Sequence, residues 1–200
     1  MNQNRKRQFD INIKTINDGL SIYSYVEDNA KNIDACILLR ALFSMIISAF
    51  DTYLHGILED HIIADAFNSS SKEINDFDVN LSEIKSIFNV TDLNLKEEIL
   101  RLHVRKRLAK YSFQSPSNLE YVMKQFAVKH CWQEIGKTLN MKAEDVRKKL
   151  AFCVNRRNKI SHESDWNPVT MAYDPISIQD VKDCMDLIQK LVDIIDNKLI

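Results

Sequence analysis

The chain has 200 residues, a formal net charge of −1, and only three glycines and three prolines. That length suits one hydrophobic core, so a single domain over residues 1–200 is expected. So little turn punctuation excludes a sandwich, a barrel or an open sheet and leaves an all-α fold. A near-zero net charge gives no long-range pull on nucleic acid, so any such binding has to come from a local patch.

Met1 to Arg7 is basic but leads into no apolar run of the kind a signal peptide needs. Cys36, Cys131, Cys153 and Cys184 stand too far apart for a disulfide framework or a zinc knuckle. Both features point to a reducing, cytoplasmic setting. Helical periodicity appears over residues 8–27 and strengthens over residues 33–67, where Gly56 is the one breaker. This second helix is expected to be long and central. Its most apolar part, residues 35–50, is interrupted by Arg40 and closed by Asp51. It is too short and too charged to span a bilayer, so it reads as a buried helix and no membrane partner is expected. Residues 68–80 read as an exposed connection, followed by a short helix over 81–88. Residues 95–113 are helical again. Ser115-Pro116-Ser117 stops that run, and Ser117 is placed to cap a helix that starts near Asn118 and runs to about Leu139. Asn140 then stands at the N-cap of a helix with Glu144 and Asp145 in its first turn, at the positive end of the dipole. That helix should end near His162, before a polar, proline-marked loop. Ser177 with Asp180 three residues on resembles a capping box that opens a last amphipathic helix.

In the helix from Met141, Val146, Leu150, Cys153, Val154 and Ile160 fall on one apolar face at about 100° per residue, with Arg157 in the middle of it. An unpaired guanidinium there costs several kcal/mol, so it requires a carboxylate, a phosphate or a water-filled cleft. Either the helix frays before Arg157, or a nearby Asp pairs with it, or it serves a ligand. His162 lies four residues after Asn158, so an intact helix stacks the amide and the imidazole on one face, where Asn158 can orient the ring. A histidine at a helix end otherwise serves as a dipole partner. Arg157 and His162 are five apart, hence about 140° from one another. They converge only if the helix ends at a groove, or if a second subunit supplies the matching pair across a twofold axis.

Arg40, Ser44, Ser48, Asp51, His55 and Glu59 form a polar stripe on the central helix. It is either a solvated face, or the lining of a cleft in which Asp51 pairs with Arg157 or orients His162. Basic residues cluster at Arg101, Arg105, Lys106, Arg107 and Lys110, and again at Lys142, Arg147, Lys148, Lys149, Arg156 and Lys159. Such runs are usually solvated faces. If both helices border one cleft, Arg105, Lys106, Arg107, Lys149 and Lys159 make a phosphate-binding rim whose affinity falls with salt. Trp166 is either a packing anchor or a stacking surface for a base.

The string Arg156-Arg157-Asn158-Lys159-Ile160-Ser161-His162-Glu163-Ser164-Asp165-Trp166 resembles the HEPN signature, an Arg, a polar residue, three more residues and a His. It is similar in particular to HEPN proteins of prokaryotic conflict and defence systems. Val104-Arg105-Lys106-Arg107-Leu108 with Phe113-Gln114-Ser115-Pro116, and Ser48-Ala49-Phe50-Asp51-Thr52-Tyr53-Leu54-His55, resemble the same subgroup. The resemblance implies a HEPN-like helical bundle and a homodimer whose two signatures meet in a cleft. It further implies an endoribonuclease that needs no metal or cofactor, restrained by an antitoxin or a defence-system partner protein. On this chain, His162 is then the general base on a ribose 2′-hydroxyl or the acid to the leaving 5′-oxygen, and Arg157 stabilises the phosphorane. Asn158 positions the His or a phosphate oxygen, with Asp51, His55 and Arg156 as supporting residues.

Two other functions are compatible with the sequence. A HEPN fold without turnover is an RNA-binding or scaffolding partner in a defence or toxin–antitoxin module. Residues 132–150 also read as a helix-turn-helix of a DNA-binding regulator, although Glu144 and Asp145 occupy the turn that would approach the duplex. The sequence contains no Gly-rich phosphate loop, zinc-ligand spacing or serine-nucleophile motif, which leaves nucleotide hydrolysis and metallohydrolase chemistry without support.

Overall fold

The structure is a computed structural model and describes residues 2–67 and 80–199; all but the last residue of the connection expected over 68–80 lies outside them. Helix dominates: α1 is Asn2–Asn29, α2 Cys36–Phe67, α3 Leu81–Phe88, α4 Leu93–Leu108, α5 Pro116–Gln125, α6 Cys131–Leu139, α7 Ala143–Glu163 and α8 Ile178–Ile194. A two-residue hairpin, β1 Trp166–Asn167 and β2 Ala172–Tyr173, sits between α7 and α8, and a π turn, Ile195–Leu199, follows α8. The all-α expectation holds.

Helix α2 is the axis of the fold, with α1, α4, α5, α7 and α8 packed around it. Its apolar residues occupy every side: Leu39, Phe43, Ile46, Ile47, Phe50, Leu54 and Ile57 are all buried. Among the described residues it is the one helix long and apolar enough to cross a bilayer, and 50% of that stretch is buried inside the fold. Phe9, Ile13, Ile16 and Leu20, spaced at three and four residues, form the face that α1 lays on it. Val181, Cys184, Ile188, Leu191 and Val192 do the same for α8. At the far end of α2, Glu59 and Asp60 are 5% and 7% exposed, and arginines from two other helices reach them. Arg5 of α1 bonds Asp60 at 2.8 and 2.9 Å, and Arg101 of α4 bonds Glu59 and Asp60 at 2.7 Å each.

Helix starts follow capping chemistry. Asn80 with Glu83 and Ser177 with Asp180 each form a reciprocal capping box, and Asp92 accepts from the Leu95 amide at 2.9 Å. Several expected boundaries move. Helix α4 stops at Leu108, so Phe113 is in a loop, where it and Gln114 are nevertheless buried. Ser115, and not Ser117, caps α5, because Pro116 takes the first helical position, where its missing N–H costs nothing. The helix expected over 118–139 is broken between α5 and α6, where Ala127 adopts φ 62° and the Val128 amide turns back to the Met123 carbonyl at 3.0 Å. Asn140 does not cap α7. It ends α6 in the left-handed region at φ 52°, and Lys142 stands at the α7 cap without a side-chain bond. Residues 131–163 thus fold as two helices around a tight turn, with Glu144 and Asp145 in the first turn of the second helix.

Candidate functional site

Helix α7 buries Val146, Leu150, Cys153 and Val154, the face expected from their spacing, and its last two turns carry the signature. The helix does not fray before Arg157; it runs to Glu163. Its end is formed by Ser164 and Asp165 in the left-handed region, φ 53° and 61°. The amides of both residues fold back onto the Lys159 carbonyl, the Asp165 bond at 3.1 Å. Two successive non-glycine residues at positive φ are strained, and the strain is offset where it leads. It turns the Asp165 side chain beneath α7, where it is fully buried.

Asp165 is the hub of the site. Its Oδ2 accepts from Arg156 Nη2 at 2.6 Å and from Arg40 Nε of α2 at 3.0 Å. The same two guanidiniums cap the chain on its way back: Arg40 donates to the Asp174 carbonyl at 2.9 Å and Arg156 to the Pro175 carbonyl at 3.0 Å. Lys159 forms a short ion pair with Asp174, whose other oxygen accepts from Asn167 at 3.0 Å. Lys159, then Asn167, hold the Asp174 carboxyl below the ordinary carboxylate range. The polar loop expected after α7 therefore contains the β1–β2 hairpin, in register Trp166↔Tyr173, clamped to α7 and α2 by charge. Trp166 packs edge-on against Tyr173 at 5.4 Å, and the Arg40 guanidinium lies 5.0 Å from the Tyr173 ring. Trp166 is a packing anchor in this hairpin and remains 38% exposed.

Arg157 contrasts with its neighbour. It is half-buried on the apolar face, and no carboxylate lies within ion-pair distance of it among the described residues. Its Nη1 donates to Asn158 Oδ1 at 3.1 Å, and its Nε is buried with no partner among those residues. Asn158 therefore orients the arginine, and not the His162 ring as the four-residue spacing suggested. His162 is exposed in the last turn of α7. A guanidinium without a counter-ion among the described residues and an exposed imidazole on the same helix end are chemically equipped to receive an anion and to move a proton.

The polar stripe of α2 is neither a solvated face nor the lining of one cleft. Arg40 supports the signature through Asp165. Ser44 Oγ is buried without a partner among the described residues, and Ser48 donates to the Ser44 carbonyl at 3.0 Å. Asp51 does not pair with Arg157 or His162. It accepts the backbone amides of Phe113 and Gln114 at 2.5 and 3.1 Å, and Gln114, with its amide nitrogen turned inward, donates to both Asp51 oxygens at 2.6 and 3.1 Å. His55 Nε2 stands 3.7 Å from Asp51 Oδ2, with its ring edge-on to Phe113 at 4.6 Å. Both residues thus brace the α4–α5 loop.

The two basic runs do not share a rim. Arg107 lines a groove between α4 and α5, whereas Lys149 lines another between α7 and α8. Arg105 bonds Glu59 at 2.9 Å and Lys159 is paired with Asp174, so both are engaged within the fold, while Lys106 and Lys149 are exposed. Sequence reasoning missed Asp165 as the organiser and Arg40 as its second partner. Asp165 lies inside the signature string, but its role needs a partner 125 residues away.

No curated protein and no solved structure matches the chain. The RiboL-PSP-HEPN family matches it over residues 2–200, which takes in every described element and the signature on α7. The chain belongs to the RiboL-PSP-HEPN family.

Proposed function

We propose that the protein is a metal-independent endoribonuclease whose site is composed of two signatures brought together in a homodimer. The observation that carries this reading is the difference between two adjacent arginines. Arg156 is neutralised by Asp165, while Arg157 has no carboxylate partner among the described residues and keeps its fork for a phosphate. His162 takes the proton from a ribose 2′-hydroxyl, whose oxygen then bonds phosphorus. The phosphorane charge is held by Arg157, and the P–O5′ bond breaks as a second copy's His162 protonates the leaving 5′-oxygen. The products are a 2′,3′-cyclic phosphate and a 5′-hydroxyl.

The angular separation of Arg157 and His162 on one helix, about 140°, supports the need for a second copy. So does the outer face of α2, where Ile37, Ala41 and Met45 recur at helical spacing and are exposed, a narrow apolar strip suited to self-association. The activity fits the effector of a toxin–antitoxin or defence module that a partner protein restrains. Expression of the chain should arrest growth, His162→Ala should relieve the arrest without changing thermal stability, and RNA ends should carry the cyclic phosphate. Undiminished cleavage by purified His162→Ala protein would sink the assignment. RNA binding by the unaltered protein without any cleavage would leave a catalytically silent RNA-binding role.

A further inference from the structure

The groove between the end of α4 and the start of α5 is lined, among the described residues, by Tyr111, Phe113, Tyr121, Leu108, Arg107 and Asn118. Its volume is about 400 Å³, enough for one nucleotide-sized guest. Phe113 forms the floor. It is 3% exposed and pinned from two sides, by Asp51 on its amide and by the His55 ring. Tyr121 lies nearly parallel to it, at 7° and 6.4 Å, and Tyr111 at 26° and 6.4 Å. Near-parallel rings set one plane for a flat guest, and the braced floor removes the ordering cost of forming it.

Tyr111 and Tyr121 are 61% and 41% exposed at this groove, so aromatic surface is presented to solvent next to cationic side chains. Arg107 lines the wall with its Nη1 4.0 Å from Glu83, so the exposed Lys106 and Lys110 on the adjoining turns supply the cations for a phosphate. Asn118 adds a polar edge. Its Nδ2 donates to the Ser112 carbonyl at 2.6 Å, which fixes the amide and leaves Oδ1 to accept from an amino group. Rings with a common plane, a fixed amide and adjoining cations are what a nucleobase and its phosphate require.

We propose that this groove binds an unstacked base of single-stranded RNA, with the neighbouring phosphate at the basic end of α4. The proposal rests on the reading of the protein as one that acts on RNA and adds a site where the strand is gripped away from the signature. Eleven residues of α2 separate Arg40, at the signature, from Asp51, under the groove, about 16 Å along the helix. One short single strand can occupy both places. A free mononucleotide shares the base and phosphate chemistry but not this reach.

The test uses the full chain carrying His162→Ala and a single-stranded RNA hexamer with one 2-aminopurine, whose fluorescence falls when it stacks. Quenching on binding is expected. Tyr111→Ala should abolish the quenching and weaken binding about five- to a hundredfold, the range for loss of one stacked base. Tyr111→Phe should retain both. Tyr111 is exposed, and equal melting temperatures for the variants exclude a folding effect. Quenching and affinity unchanged in Tyr111→Ala overturn the proposal. Displacement of the hexamer by AMP at matching concentration overturns the assignment to a strand in favour of a free nucleotide. Cleavage by the protein with intact His162, measured in parallel, separates the two readings: quenching without cleavage removes the nuclease and keeps the groove, and cleavage that Tyr111→Ala leaves unchanged removes the groove and keeps the nuclease.

Discussion

Arg156 and Arg157 are consecutive, yet about 100° of helix rotation gives them different chemistry. Arg156 turns toward the buried carboxylate of Asp165, and Arg157 turns to a face where no acid waits among the described residues. Asp165→Asn leaves Arg40 and Arg156 facing each other without their shared anion, and it should cost about 3–5 kcal/mol in urea unfolding. Arg157→Gln removes a charge that no described residue neutralises, so it should cost no more than about 1 kcal/mol while cleavage is lost. Equal destabilisation by the two substitutions would mean that Arg157 is structural. Asp60 gives a second prediction. Burial alone would raise its carboxyl, but the hydrogen bonds from Arg5 and Arg101 outweigh burial and hold it below the ordinary value. A carboxyl depressed in the folded state contributes stability above its unfolded value, near 4, and that contribution is lost as pH falls through the folded value. The urea midpoint should therefore drop as pH falls below about 4, less steeply in Asp60→Asn; parallel curves would contradict the assignment.

Among the elements, those whose ends and faces are written in local chemistry were legible beforehand. The capping pair Ser177–Asp180, the short helix Leu81–Phe88 and the buried set Val146, Leu150, Cys153 and Val154 stand where their spacing placed them. The missed boundaries share a cause: one residue type serves two conformations. Asparagine favours both a helix start and a left-handed helix end, and Asn140 takes the second. Ala127 enters the left-handed region without the glycine that would announce it. The turn after Asn140 is set by Gly136, where a Cβ would stand 2.7 Å from the Met141 carbonyl oxygen and 3.0 Å from the Ala143 nitrogen. Both are backbone atoms, so Gly136→Ala should force α6 and α7 apart at a cost of about 1–3 kcal/mol. At Gly19 the nearest atom is the tip of the Leu42 side chain, which can rotate, so Gly19→Ala should lower the melting temperature less. Equal losses would contradict the backbone clash.

For the whole molecule, the long central helix and the location of the signature could be read from sequence, but the connections between distant segments could not. Periodicity puts Arg40 and Asp51 on one stripe of α2, and only the packing of α7 and of the α4–α5 loop shows that they serve different sites. The same holds for the basic runs: sequence leaves open whether they border one cleft, and in the fold Arg107 and Lys149 line different grooves. Self-association is tested on the exposed strip of α2. Met45→Glu places a charge in it without touching the core, and it should yield monomers by sedimentation and abolish cleavage together. A dimer that persists with full activity would exclude this face.

Helix α2 has no break between Arg40 and Asp51; the first holds Asp165 at the signature and the second holds the α4–α5 loop under the groove. If RNA is held at both places as proposed, the helix acts as a gauge: the scissile bond then lies a set number of nucleotides from the gripped base, whatever sequence lies between. Lengthening α2 by four residues near Ser48 adds about 6 Å and turns the groove about 40° around the helix axis. The cut should then move along the RNA relative to the held base, with its chemistry unchanged.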